Sequence, residues 1–269
     1  MRRSRIPLVV TALVMAFLYL PILILVANSF NPARYSSRWE GVSLVWYAKL
    51  FESPEIWQAV RNTLIIAVSV TAVSVVLGTL AAYALHRWGA SRLQRLHFTL
   101  IYQPLVVPEI LMGISLLMAF VAVGAPLGLF TIFLAHVTFC TSYVAMTVLG
   151  RLQDFDLSVI EAARDLGASP WQSTRKVLIP MLMPGIVAGA LLAFTLSVDD
   201  FVITFFVAGP GSTTLPLRIY SMIKYGAPPM INALSTLLLA VTLTAVFLSQ
   251  RLANRRDHTG IPSAGNPGT

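Results

Sequence analysis

Six apolar runs alternate with short polar stretches along this chain, covering residues 6–27, 60–85, 98–123, 127–149, 181–207 and 231–248. A helix that crosses a bilayer needs about 20 mainly apolar residues. The pattern therefore predicts an all-α integral membrane protein with six transmembrane helices in a single domain over residues 1–256. Gly260, Pro262, Gly265, Pro267 and Gly268 predict a disordered tail over 257–269. The first run follows Arg2, Arg3 and Arg5, as in a signal peptide. It is too long for one and lacks a small-residue cleavage site, so it reads as an uncleaved anchor.

Composition agrees with the pattern. The chain is 57% hydrophobic and 11% charged, with mean hydropathy +0.77, where a soluble domain carries roughly a quarter charged residues. The net charge of +8 is informative through its placement. One side of the expected membrane collects Arg2, Arg3, Arg5, Arg87, Arg92, Arg95, Arg151, Arg164, Arg175, Lys176, Arg251, Arg255 and Arg256. The other holds Arg34, Arg38, Lys49, Arg61, Arg218 and Lys224. The richer side is cytoplasmic, which puts both termini inside. The basic clusters thus report topology and lipid headgroups rather than nucleic acid. Trp57 and Trp88 flank the second run, where interfacial rings belong. Cys140 is the lone cysteine, so no disulfide forms within the chain and no CxxC motif exists.

The insert between the fourth and fifth runs, EAARDLGASPWQSTRKVLIP over residues 161–180, is polar and well capped. Ser158 and Glu161 have capping-box spacing, which predicts a short helix over 157–166. Gly167 suits a left-handed stop. Ser169 and Pro170 predict the cap and first turn of a second short helix. Pro180 and Pro184 bend the chain into the fifth run. The result is a rigid cytoplasmic elbow, which an ordinary structured loop would also explain. The insert resembles the EAA motif of ABC-importer permease subunits: EAA, three residues, Gly, nine residues, then I-x-L-P. Glu161, Ala162, Ala163, Gly167 and Pro180 match at the right spacing, and Val177 and Ile179 stand where that family has Ile and Leu.

The likeness extends over residues 17–248. The stretches 134–145 and 192–239, and FLYLPILILVANSFN near the start, are similar to permease subunits of bacterial putrescine and spermidine importers. This resemblance implies the six-helix importer-permease fold, N-in and C-in, with a coupling helix between helices 4 and 5. It implies a bacterial inner-membrane location, a second, non-identical permease subunit, two ABC ATPase subunits and a periplasmic substrate-binding protein. It also implies that this chain is not an enzyme and holds no cofactor, with ATP and Mg on the ATPases.

A polyamine path needs carboxylates and aromatic faces. Intramembrane acids are costly and therefore functional suspects. Glu109, Asp199 and Asp200 stand out, with Tyr102, Phe201 and Phe205 as aromatic neighbours. Glu109 lies about 11 residues into the third run, roughly 16 Å deep at 1.5 Å per residue. Pro104 and Pro108 beside it remove helix hydrogen bonds. Adjacent helical residues point about 100° apart. Asp199 and Asp200 therefore divide the work, one lining the path while the other caps or pairs, with Arg218 or Lys224 as possible partners. His136 and Cys140 share a helix face, but two ligands do not make a metal site. They read as packing residues, and no metal is expected. GPGST at 209–213 lacks the GxxxxGK[ST] of a phosphate loop and reads as an external turn or a binding-protein contact. Other cargoes of the same importer type are an opine, thiamine or an aminophosphonate. A secondary transporter using Glu109 is a further reading, and an intramembrane enzyme has no supporting constellation.

Overall fold

The structure is a computed structural model. It describes residues 6–33, 38–87, 91–153, 156, 158–226 and 229–257, without the side chains of 6, 245–246 and 248–257. Arg2, Arg3, Arg5, Arg34, Trp88, Leu157 and the tail from 258 lie outside the described residues, as do the side chains of Arg251, Arg255 and Arg256.

The regular elements are helical: α1 (Ile6–Ser29), α2 (Val45–Glu52), α3 (Pro54–Arg87), α4 (Arg92–Val106), α5 (Glu109–Ala122), α6 (Leu129–Gln153), α7 (Ser158–Asp165), α8 (Pro170–Ser173), a π turn (Thr174–Leu178), α9 (Ile179–Asp199), α10 (Val202–Val207), α11 (Leu215–Lys224) and α12 (Met230–Asp257). Four stretches, Pro7–Ser29, Pro54–Arg87, Leu129–Gln153 and Pro170–Asp199, are long and apolar enough to cross a bilayer. The pair α4 and α5 is apolar enough only when taken together and is bent by 112° at a short break, the form of a broken span or a re-entrant loop. The apolar part of α12, Met230–Thr244, is shorter.

Two of the six expected runs are therefore not single helices. The run over 98–123 breaks at Val107 and Pro108, and Pro108 stands immediately before α5. Pro104, also expected to break the helix, lies inside α4. The run over 181–207 breaks at Asp200 and Phe201, where Asp200 turns extended with ψ 122°.

The chain divides into two compact units. In the first (residues 1–53 and 222–269), α12 packs against α1 and α2. The segment leading to α2 is folded around Asn31. The Asn31 carboxamide donates to the Arg38 carbonyl at 2.7 Å and accepts from the Ala33 and Glu40 amides. The Trp46 indole donates to the Asn31 carbonyl at 2.9 Å.

In the second unit (residues 54–221), α3, α6 and α9 pack pairwise around a core that includes Ile66, Val70, Phe139, Val144, Val148 and Leu182. Where lipid removes the hydrophobic drive between helices, association relies on close packing, and small residues supply it. A Cβ on Gly78 of α3 would lie 2.7 Å from the Cβ of Val144, and one on Gly189 of α9 would lie 3.2 Å from its Cγ1. Val144 of α6 is thus a knob held between two glycines of neighbouring helices. At the other end of α3, Asn62 donates to the Gly211 and Thr213 carbonyls. Thr63 accepts from the Leu215 amide at 2.8 Å. The GPGST stretch is thereby a tethered turn. A Cβ at Gly209 would overlap the Leu127 carbonyl oxygen.

Gly78→Leu is expected to destabilise the protein by about 1–3 kcal/mol through overpacking, and Val144→Ala in the same chain should return part of the loss. Thermal unfolding in detergent measures both. A double variant no more stable than Gly78→Leu alone would refute the knob between glycines.

Candidate functional site

The two helix breaks face one cavity of about 250 Å³ in the second unit. Pro104, Glu109 and Met112 line it from α4 and α5. Phe139 and Tyr143 line it from α6. Leu196, Asp199, Asp200, Phe201, Val202 and Ile203 line it from the end of α9 onward. Packing of α5 on α10 brings the breaks together, and a Cβ on Gly113 would meet the Phe206 ring at 2.6 Å. Non-helical backbone at membrane depth is tolerated where it is buried or lines a cavity. Because Pro108 has no N–H, the carbonyl of Pro104 lacks a helical donor four residues on.

The three acids differ in their surroundings. Asp200 is committed to structure. Its carboxylate accepts from the Thr204 amide at 2.8 Å, the Thr204 hydroxyl at 2.7 Å and the Ile203 amide at 3.3 Å, which caps α10. The His136 Nε2 lies 3.1 Å from the same carboxylate and 3.0 Å from the Thr204 hydroxyl. His136 is fully buried, and its Nδ1 is 2.8 Å from the Ser197 hydroxyl. The two ring nitrogens therefore tie α6 to both sides of the α9–α10 break. Asp199 and Glu109 form no ion pair among the described residues, and both are exposed. Glu109 sits in the first turn of α5, where the helix dipole favours a negative charge. Among the described lining residues none is a lysine or arginine.

Of the residues singled out from sequence, Glu109, Asp199, Asp200 and Phe201 meet at this cavity. Tyr102 and Phe205 do not line it. Tyr102 stacks on Phe98 at 5.6 Å, and Phe205 packs against Phe201, Phe206 and Tyr220. Arg218, considered as a partner of Asp199 or Asp200, pairs with Glu55 instead. Lys224 has its ammonium 5.5 Å from the Tyr225 ring centre. The Cys140 thiol donates to the Ala193 carbonyl at 3.6 Å. Among the described residues no group of three His, Cys, Asp or Glu is placed to hold a metal. Sequence reading missed Phe139 and Tyr143. Their spacing of three and seven residues from His136 puts all three on one face of α6, a signal visible only once His136 is seen as an anchor.

The insert after α6 forms a second candidate site. Helix α7 begins at Ser158, which is not the cap predicted for it. The Asp156 carboxylate accepts the Ser158 amide at 2.9 Å. That bond holds the Asp156 carboxyl below the usual carboxylate range, so the bond is kept at neutral pH and lost only as pH falls through the lowered value. Gly167, with φ +88°, closes α7. The Ala168 amide reaches the Ala163 carbonyl at 3.0 Å and the Gly167 amide the Arg164 carbonyl at 2.8 Å, a Schellman pair. Ser169 and Gln172 then form a reciprocal capping box.

The expected second short helix is instead the start of one continuous rod, Pro170–Asp199. A π turn at Thr174–Leu178 precedes Pro180, whose ring would crowd the carbonyl four residues back. Glu161 and Ala162 are exposed, and so are Leu166 and Trp171, at 90% and 68%.

Apolar helices broken around an acidic cavity, with a capped polar elbow between α6 and the rod, define a polytopic membrane protein with a polar cavity. Residues 74–257 match the family described as "Binding-protein-dependent transport system inner membrane component", and the chain belongs to that family. It is 42% identical over 246 residues to the spermidine/putrescine transport system permease protein PotC of Escherichia coli K12, covering 91% of each chain. It is 43% identical over 261 residues to the putrescine transport system permease protein PotI of the same strain, covering 95% of this chain and 93% of the relative. Among solved structures, an ABC transporter importing the acidic polysaccharide alginate matches with TM-score 0.72 at 17% identity, covering 93% of this chain and 98% of that one. The MetNI methionine ABC transporter matches with TM-score 0.61 at 24% identity, covering 76% of this chain and 98% of that one. These two likenesses concern the fold.

Asp200→Ala should cost about 2–3 kcal/mol, because it removes one partner of buried His136 and uncaps α10. Asp199→Ala one residue away should stay within about 0.5 kcal/mol. Thermal unfolding of the two variants side by side checks this, and equal losses would overturn the division of labour between the adjacent acids.

Proposed function

We propose that this chain is the permease subunit of a polyamine ABC importer of the bacterial inner membrane. In this reading it crosses the bilayer six times with both termini inside. It pairs with a second, non-identical permease. Two ATPase subunits carry ATP and Mg, and a periplasmic binding protein delivers putrescine or spermidine. The chain itself catalyses nothing.

One observation carries the proposal. The rod Pro170–Asp199 begins in the capped elbow and ends on a cavity carboxylate. At 1.5 Å per residue its length is about 45 Å. A push on the elbow is therefore carried along one helix, through the π turn and past Pro184, to one wall of the cavity. Glu161, Ala162, Ala163, Gly167 and Pro180 form the ATPase-coupling element, with exposed Leu166 and Trp171 offering it apolar contact. Glu109 and Asp199, on opposite helix breaks, meet the ammonium groups of the cargo, and Phe201 and Tyr143 offer ring faces to them. The names of the similar permeases support the cargo.

Uptake of radiolabelled putrescine and spermidine into proteoliposomes, with and without internal ATP, tests the reading when the chain is reconstituted with its operon partners. ATP-dependent uptake of either amine is expected. A complex that hydrolyses ATP but takes up neither would sink the polyamine cargo. Gly167→Pro and Glu161→Lys should abolish uptake while the complex still folds. Proline cannot adopt the left-handed φ of residue 167, and the second variant reverses an exposed charge. Normal uptake in folded variants would remove the coupling role. Asp199→Asn and Glu109→Gln should each raise the apparent KM for uptake about tenfold, the worth of one charge-assisted contact.

A further inference from the structure

The polar side chains that line the cavity at the two helix breaks are, among the described residues, Glu109, Asp199, Asp200 and Tyr143. They are not equally available. The Asp200 Oδ2 accepts from the Thr204 amide and hydroxyl and faces the His136 Nε2, while its Oδ1 accepts from the Ile203 amide. Its side chain is only 6% exposed. Glu109 and Asp199 are exposed and form no ion pair among the described residues. The Tyr143 hydroxyl has no hydrogen-bond partner among the described residues, and it is not one of the enclosed polar atoms. Its oxygen is therefore within reach of a ligand, while its ring packs half-buried against the core. The free side-chain acceptors of the cavity are thus two carboxylates and one neutral hydroxyl. Tyr143 also stands at a different depth. It lies seven residues beyond His136 on α6, about 10 Å at 1.5 Å per residue, and His136 marks the level of Asp200.

We propose that Tyr143 is the side chain through which this cavity distinguishes a triamine from a diamine. The inference rests on the polyamine reading above and deepens it. Each free carboxylate pairs with one ammonium group, so Glu109 and Asp199 together complete the pairing of a diamine. A triamine brings one more ammonium into the cavity, where a charge without a partner is costly. Asp200 is already engaged by its own helix cap and by His136. The Tyr143 hydroxyl oxygen is the side-chain acceptor left, and it accepts an N–H of that third ammonium. A hydrogen bond from a charged donor is stronger than one between neutral groups, and the ring beside it adds a cation–π contact. Removal of the hydroxyl leaves the third ammonium without its acceptor, while the two carboxylates keep their partners. The tyrosine therefore contributes more to the binding of a triamine than to that of a diamine.

The test compares wild type with Tyr143→Phe in proteoliposomes that hold the complete importer, with the same binding protein outside and ATP inside. The quantity read is kcat/KM for spermidine uptake divided by kcat/KM for putrescine uptake. The binding protein is common to both samples, so a change in this ratio originates in the permease. Phenylalanine keeps the ring and its packing, which confines the change to one oxygen. The ratio should fall about tenfold, the worth of one hydrogen bond to a charged group. An unchanged ratio, with both amines taken up, overturns the inference and leaves the polyamine reading intact. An equal loss for both amines assigns Tyr143 a structural role and overturns it too. A wild type that takes up only one of the two amines also overturns it, because the cavity then makes no choice between them. Uptake of neither amine by the wild type removes the polyamine reading itself, and this inference with it.

Discussion

The contacts of His136 are the constraint on which the second unit depends. A spanning helix broken near its C-terminal end exposes backbone groups and, here, two adjacent carboxylates to an apolar surrounding. Leaving them unpaired would cost several kcal/mol each. One imidazole resolves most of this. It holds Ser197 before the break and Asp200 and Thr204 after it. Asp200 in turn satisfies the first amides of α10. The histidine comes from α6, the helix that also carries the Val144 knob. The break is thus anchored to the most tightly packed helix of the core. That arrangement makes an open cavity compatible with a stable fold. Asp199 is left to the cavity because its neighbour is fully used.

The long rod and the two breaks divide rigidity and freedom along the chain. From Pro170 to Asp199 the backbone is helical throughout, and Gly185 and Gly189 press it against α6. At each end of the rod the chain turns sharply; Ser169 and Gln172 cap its first turn, and beyond its last residue Asp200 caps the following helix, α10. Packed helices shift as units, with turns and helix ends absorbing the change. The irregularities within the rod, the π turn beside Pro180 and the interior Pro184, both fall in its first half. They lie on the elbow side, where they alter the rod's first turns and leave the cavity end straight.

Much of this was legible in the sequence, because apolar length, cap residues and a left-handed glycine are local signals. Gly167 closed its helix as its type predicts, and Ser169 with Pro170 opened the next. The Ser158 cap failed for a local reason. Asp156, two residues earlier, takes the Ser158 amide that the Glu161 carboxylate of a capping box would have taken. The break in the run over 98–123 was signalled by Pro104 and Pro108, whereas the break in 181–207 was not legible, because hydropathy counts apolar residues and is blind to direction. Residues 98–123 and 181–207 stay apolar through their breaks. The informative signs were the acids themselves, Glu109 and the pair Asp199–Asp200, each of which proved to mark a helix end. Tyr102 and Phe205 were singled out as aromatic and near in sequence, yet their faces turn to other rings. Ring orientation is set by packing, which periodicity along one helix does not reveal.

Local sequence rules fail most often where function is paid for by structure, and both failures in this unit lie on one cavity. Glu109 and Asp199 belong to different breaks, on helices joined to the core by different contacts. Glu109 rides on α5, held through Gly113 and Phe206, whereas Asp199 ends the rod that begins at the elbow. A displacement of the rod therefore changes the separation of the two carboxylates while leaving each in its own helix. For a cargo with amines at both ends, binding strength depends on that separation. Under the function proposed above, movement of one helix is the step that turns a holding site into a releasing one.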